Sequence, residues 1–198
     1  MSDPIRPYRA ATTDDLCLNF VNTRSWRGSA EPAETLHTAD DLLAWAAKET
    51  GADPDLVRAC GETWQPGQAL ATGLEIREAI HRLFAAVTDN GSPQPDQVAE
   101  LNRWAAAAPA RSRLIGDGRH WCLEASPSVL ALLAPVLWST GDLLTSHRLS
   151  RVRACANPQC QWLFLDDSKA GTRRWCSMSA CGNRAKAHRH YQRRKAKP

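Results

Sequence analysis

The sequence predicts an α+β protein: a mainly helical N-terminal domain with a small antiparallel hairpin, followed by a cysteine-rich C-terminal module of β-hairpin and helix. Three observations carry this. Apolar residues recur at helical spacing through the first two-thirds of the chain. Four of the seven cysteines fall within 27 residues, between Cys155 and Cys181. The charge changes sign near Arg148: residues 148–198 hold 13 Lys and Arg against two acids, a balance of +11, leaving −7 for residues 1–147. These observations divide the chain into units 1–147 and 148–198.

Taken in order, the chain opens on a Pro- and Arg-bearing tail. LCLNFVNTR (16–24) fits a short strand or a helix, because Leu16, Leu18, Phe20 and Val21 satisfy both periods. TADDLLAWAAKETG (38–51) reads as a helix, with Thr38 as cap, two acids in the first turn and Gly51 after the last. Asp53-Pro54 starts another, Pro occupying the first helical position. From about Gln68 to Val87, Leu70, Leu74, Ile80, Leu83, Phe84 and Val87 mark a third helix. DNGSPQP (89–95) is a loop, and residues 96–107 form a helix with Val98, Leu101 and Trp104 inward. Short runs flanking Gly116-Asp117-Gly118 signal a hairpin. Ser126-Pro127 then caps a long apolar helix through Leu144, with a bend expected at Pro135. In the basic unit, RVRAC (151–155) and QWLFLD (161–166) favour extended structure around Asn157-Pro158, and residues 187–197 suit a final helix.

The spacing of the cysteines carries the chemistry. Four residues separate Cys155 from Cys160, and four separate Cys176 from Cys181, with fifteen residues between the pairs. Two short-spaced thiol pairs are what a tetrahedral Zn²⁺ site requires, and four thiolates leave no open coordination position. One structural zinc ion is therefore expected. About fifty strongly charged residues bury too little surface to fold unaided, so a metal staple is the usual remedy. Cys17, Cys60 and Cys122 are scattered and read as small buried hydrophobes. The odd count and the absence of an apolar export signal point to a reducing, cytosolic compartment. No apolar run approaches the roughly 18–20 residues of a bilayer span.

Cys181-Gly182-Asn183-Arg184, preceded by Arg174-Trp175-Cys176-Ser177-Met178, resembles the signature of the CGNR zinc-finger family. Phe164-Leu165-Asp166, Lys186 and the basic tail match as well, over about residues 150–195. Members of that family usually carry an N-terminal domain called ABATE, assigned to stress-induced transcription regulation. Leu18-Asn19-Phe20-Val21-Asn22-Thr23 resembles its opening motif, which more often has Asp where Asn19 stands. The resemblance implies a bacterial transcription factor of the cytosol or nucleoid, and the hairpin-plus-helix module is treble-clef-like in plan.

The expected function is a zinc-finger DNA-binding regulator. An acidic N-terminal domain would sense a small-molecule effector or form a homodimer, and the basic module would bind duplex DNA. Asn183, Arg184, Lys186, His188, Arg189, Arg193, Arg194 and Lys195 are the candidate nucleic-acid contacts. Asn183 and Arg184 stand nearest the helix start, where Asn suits adenine and Arg suits guanine. Asn183 equally suits a helix cap, and Tyr191 with Ala187 suits a packing stripe against Trp162 or Phe164. Asn19, Asn22, Thr23 and Arg24 are candidates for a small-ligand pocket, or for caps and turn bonds at a helix end. No P-loop, dinucleotide fingerprint, H-E-x-x-H or G-x-S-x-G occurs, so no catalytic residues are assigned. A zinc-stabilised RNA- or protein-interaction module is the alternative reading, and an enzyme acting through the N-terminal domain ranks below both.

Overall fold

The computed structural model describes residues 6–10, 13, 15–116 and 120–195, without the side chains of residues 6, 90, 188–190 and 192–194. At the centre lies α1 (Leu16–Val21), a single short helix with five of its six residues buried and Asn19 alone exposed. A helix enclosed on nearly all sides loses the polar face that would reveal its period, which is why sequence left its type open. Its Phe20 ring meets Trp45 at a centroid distance of 4.7 Å.

Helices gather around α1. Thr38 and Asp41 cap α2 (Ala39–Glu49) reciprocally, and Asp53 caps α3 (Pro54–Thr63) by accepting from the Asp55 N–H. The long α4 (Pro66–Asn90) begins on a Pro at its first position and stops at Gly91, whose φ of 79° only glycine adopts freely. Next come α5 (Pro95–Ala107) and α6 (Val129–Thr145), the latter capped by Ser128 and continuing through Pro135. Among the described residues, no helix is long and apolar enough to cross a membrane.

The expected hairpin is present as β4 (Arg111–Ile115) and β5 (His120–Ala125), although Asp117 and Gly118 of its turn lie outside the described residues. It is not alone. The stretch read as a tail forms β1 (Arg6–Ala10), pairing antiparallel with β5 in a sheet ordered β1-β5-β4. Only Tyr8 and Ala10 turn inward, and two buried residues beside Pro7 are too faint a period to read.

Two-residue strands β2 (Arg24–Ser25) and β3 (Ala33–Glu34) close a small loop that hairpin signals did not mark. Buried charge fixes it. Arg77 is 2% exposed and grips both Glu34 carboxylate oxygens at 2.6 Å, with further bonds to Thr23 Oγ1 and Glu78. Arg27 reaches Glu78 at 2.7 Å and the Val21 carbonyl at 3.0 Å. Burial acts to raise both carboxyls, but the facing guanidiniums outweigh it and hold Glu34 and Glu78 below their usual range.

The hairpin of the basic unit, β6 (Val152–Ala154) and β7 (Leu163–Leu165), forms as expected. Its apolar side does not make a separate core. Val152, Leu163 and Leu165 join the cluster that contains Leu16, Phe20, Ile80 and Leu133. The junction is clamped by one side chain: buried Asn22 donates from Nδ2 to the Leu163 carbonyl at 2.8 Å and accepts the Leu163 N–H at 3.1 Å. The amide thus stands in for the peptide group of a neighbouring strand. The charge boundary near Arg148 is not a boundary of packing.

Two predictions follow from this packing. Asn22→Ala leaves the Leu163 N–H and carbonyl buried without partners and lowers stability by about 2–4 kcal/mol, measured by urea unfolding. The half-buried His81 imidazole is pushed down to about 4 by burial and by the charge of Arg27. The unfolded chain takes up that proton near 6.5, so the contribution is whole above 6.5 and is lost as pH falls to about 4. With solvent screening the loss is on the order of 2 kcal/mol, and His81→Gln should flatten the stability profile in that window.

Candidate metal centre and the basic face beside it

Local turns place the thiols. In the first pair, the Cys155 N–H bonds the Trp162 carbonyl at 2.8 Å, continuing the hairpin ladder past β6. Asn157 then turns the chain: its carbonyl accepts the Cys160 N–H at 2.9 Å and its Oδ1 accepts the Gln159 N–H at 3.1 Å. Gln161 takes a φ of 53° to bring the chain back into β7. In the second pair, Ser177 accepts the Ala180 N–H and starts a wide helical turn over Met178–Gly182. That turn carries Cys181 and runs directly into α7 (Asn183–Lys195). The pairs are tied together by the Ala156 N–H on the Arg174 carbonyl at 2.8 Å. Fully buried Asp166 orders the connecting loop, its carboxylate accepting the N–H groups of Ser168 and Arg173. Sequence had noted Asp166 only as a matching position, because a carboxylate that serves a loop's main chain leaves no spacing signal.

The four sulfurs fit a metal ion. All lie within 4.8 Å of one another, with Cys160–Cys176 at 3.7 Å and Cys176–Cys181 at 3.8 Å. Zinc–thiolate bonds of about 2.3 Å in a tetrahedron put sulfurs about 3.8 Å apart, so these contacts are the edges a single Zn²⁺ would impose. Three of the cysteines are buried and Cys176 is half-buried. Burial pushes the Cys160 thiol up to about 12 and Cys176 higher still, and the neighbouring Cys155 charge adds to both. Four thiolates at this spacing repel one another strongly, and a divalent cation supplies the missing charge. Asn157 Nδ2 approaches Cys181 Sγ at 3.7 Å, orienting a ligand from outside the first shell of sulfurs. This is the single group of metal donors among the described residues, and it is consistent with one structural zinc ion.

The other candidates are distributed as follows. Asn183 is exposed at the start of α7, its Nδ2 donating to the Ser179 carbonyl at 3.3 Å. Arg184 is exposed and rests on the ring of Trp26 at 4.5 Å, a residue from the N-terminal region. Lys186 and Lys195 are exposed, Lys195 over the Tyr191 ring at 5.2 Å. The side chains of His188, Arg189, Arg193 and Arg194 lie outside the described residues. Tyr191 is 56% exposed, so the expected packing stripe against Trp162 or Phe164 does not form; Phe164 is covered by Arg173 instead. None of the cavities described is lined by Asn19, Asn22, Thr23 or Arg24. Asn22 and Thr23 are committed to buried hydrogen bonds, Asn19 faces outward, and Arg24 sits 3.9 Å from Glu78. Cys17, Cys60 and Cys122 are buried, the first two within apolar clusters.

A mainly helical domain joined to a closed four-thiolate module defines a zinc-finger protein of regulatory type. The chain belongs to the ABATE family, described as a putative stress-induced transcription regulator, whose family model matches residues 14–147. The CGNR zinc finger matches residues 151–194. Both are regulatory or zinc-finger families rather than catalytic ones. No curated protein matches the chain.

The site generates one prediction. The purified chain binds one zinc per molecule, and Co²⁺ in its place gives the absorption of a tetrahedral thiolate site. Because the ligating sulfurs must lose their protons, affinity falls as pH falls. Cys181→Ser should abolish stoichiometric binding, whereas Cys122→Ser should leave it intact, as read by metal analysis.

Proposed function

We propose that the protein is a DNA-binding transcription regulator whose zinc module presents the basic face of α7 to duplex DNA. The observation that carries this reading is a +11 segment whose helix, α7, runs directly out of the turn that carries Cys181. A helix so anchored leaves the knuckle at a fixed angle, as groove docking demands. Exposed Asn183 and Arg184 are the base-reading candidates, and Lys186 and Lys195, with Arg189, Arg193 and Arg194, are the phosphate contacts. The hairpin knuckle followed by a helix carrying the fourth thiolate supports a treble-clef-like module.

Residues 1–147 then form the regulatory unit and 148–198 the binding unit. An effector or a second copy acting on the helical unit would reach the DNA face through the packed junction at Asn22. The cytosol or nucleoid is the compartment that such a role requires.

Selection from a random duplex pool, with and without chelator, tests the reading. We expect a sequence to be enriched with zinc and lost without it. Affinity should also fall by about 10³ or more between 50 and 200 mM salt if six or more phosphates are contacted. Absence of DNA binding at low salt, or affinity indifferent to salt, would contradict it.

A further inference from the structure

A cleft of about 550 Å³ opens between the first zinc knuckle and the start of α7. Its floor is the knuckle itself, at Asn157 and Cys181, and its walls include Arg174, Trp175 and Arg184. No acidic side chain lines it. Among the described residues neither arginine pairs with a carboxylate, whereas Arg27, Arg77, Arg82 and Arg111 all do. Each is held instead on an aromatic ring: Arg174 lies 5.5 Å from the Trp175 centroid, and Arg184 lies 4.5 Å from that of Trp26. A guanidinium stacked by its face keeps its N–H edges free and loses little freedom when it bonds.

The placement of Trp26 is unusual. It sits at a φ of 54°, a conformation costly for a bulky residue, and its carbonyl accepts both the N–H and the hydroxyl of Ser29. The ring packs against the buried cysteines of the metal centre. Two residues on, Gly28 donates its N–H to the Gln159 carbonyl at 3.2 Å, and a Cβ there would fall 2.0 Å from the Pro158 carbonyl oxygen. The segment that carries Trp26 is thus pressed onto the knuckle, and the ring that holds Arg184 is supplied from outside the basic module.

We infer that this cleft is a phosphate clamp, in which Arg174 and Arg184 close from two sides on a phosphate ester and Trp26 of the N-terminal unit holds Arg184 in place. Two arginines without carboxylate partners among the described residues, lining one acid-free cleft, suit a phosphate, and bidentate bonding is what arginine offers over lysine. The ester comes from a nucleic-acid backbone or from a free nucleotide. The first source rests on the regulator reading above; the second does not.

The test uses the full-length zinc-loaded chain with two probes, a random-sequence DNA duplex and adenosine monophosphate. Arg174→Gln and Arg184→Gln should each weaken duplex binding by about tenfold and lower the salt slope by about one. The double variant should lose less than the product of the two, because both grip one phosphate. Lys186→Gln, a separate contact, should add independently to Arg174→Gln. Trp26→Leu, at unchanged zinc content, should match Arg184→Gln, and Trp26→Phe should restore binding. If the duplex binds and Arg174→Gln changes neither affinity nor slope, the clamp is refuted while the regulator reading stands. If the duplex does not bind but the nucleotide shifts the Trp175 indole resonance in the wild type and not in Arg174→Gln, the clamp holds and the regulator reading falls. Silence with both probes refutes both.

Discussion

The pair of hydrogen bonds between the Asn22 side chain and the main chain of Leu163 is the constraint on which the rest of the structure depends. Both partners are buried, so neither can turn to water, and a break would strand two peptide groups and an amide. With that seat fixed, Leu163 and Leu165 are pressed into the same core as α1 and α4. The knuckle runs straight into β7, so the position of Asn22 is also the position of the zinc site. The basic segment is for this reason a projection of the helical domain rather than a bead on a string.

Charge is handled differently on the two sides of that seat. Beneath the 22–34 segment, buried Arg77 and partly buried Arg27, Glu34 and Glu78 are mutually paired. Such a network gives little net stability, since desolvation offsets much of its attraction. Its effect is on geometry, because Arg77 bonds through all three guanidinium nitrogens and Arg27 through its two terminal ones, and those bonds fix the loop carrying Trp26 and Gly28. On the far side, Arg174 and Arg184 have no carboxylate partner among the described residues and are carried on rings. A metal cation held by the four sulfurs would link these regimes by fixing the knuckle to which both sides attach.

Much of this was legible in the sequence, for identifiable reasons. Helix ends were marked by residues with a local mechanism, such as Thr38, Asp53 and Pro54, and the cysteine spacing encodes the tetrahedron almost directly. What escaped notice involves partners distant in sequence. Asn22 and Thr23 were singled out as polar groups on an apolar strip, but their partners lie 141 and 54 residues away. Strand β1 exists because β5 offers it an edge, and its own residues barely alternate. Nothing in the spacing of Trp26 signals that it sits at the metal centre under Arg184. Charge composition located the basic segment correctly and said nothing about the core running through its hairpin.

Hydrogen exchange on the full chain, with zinc bound and after chelation, tests most directly whether the knuckle and the helical domain form one cooperative unit. The shared core predicts that metal removal speeds exchange in β7 and also in α1, through the seat at Asn22. Faster exchange confined to residues 155–182, with α1 as protected as before, would contradict it.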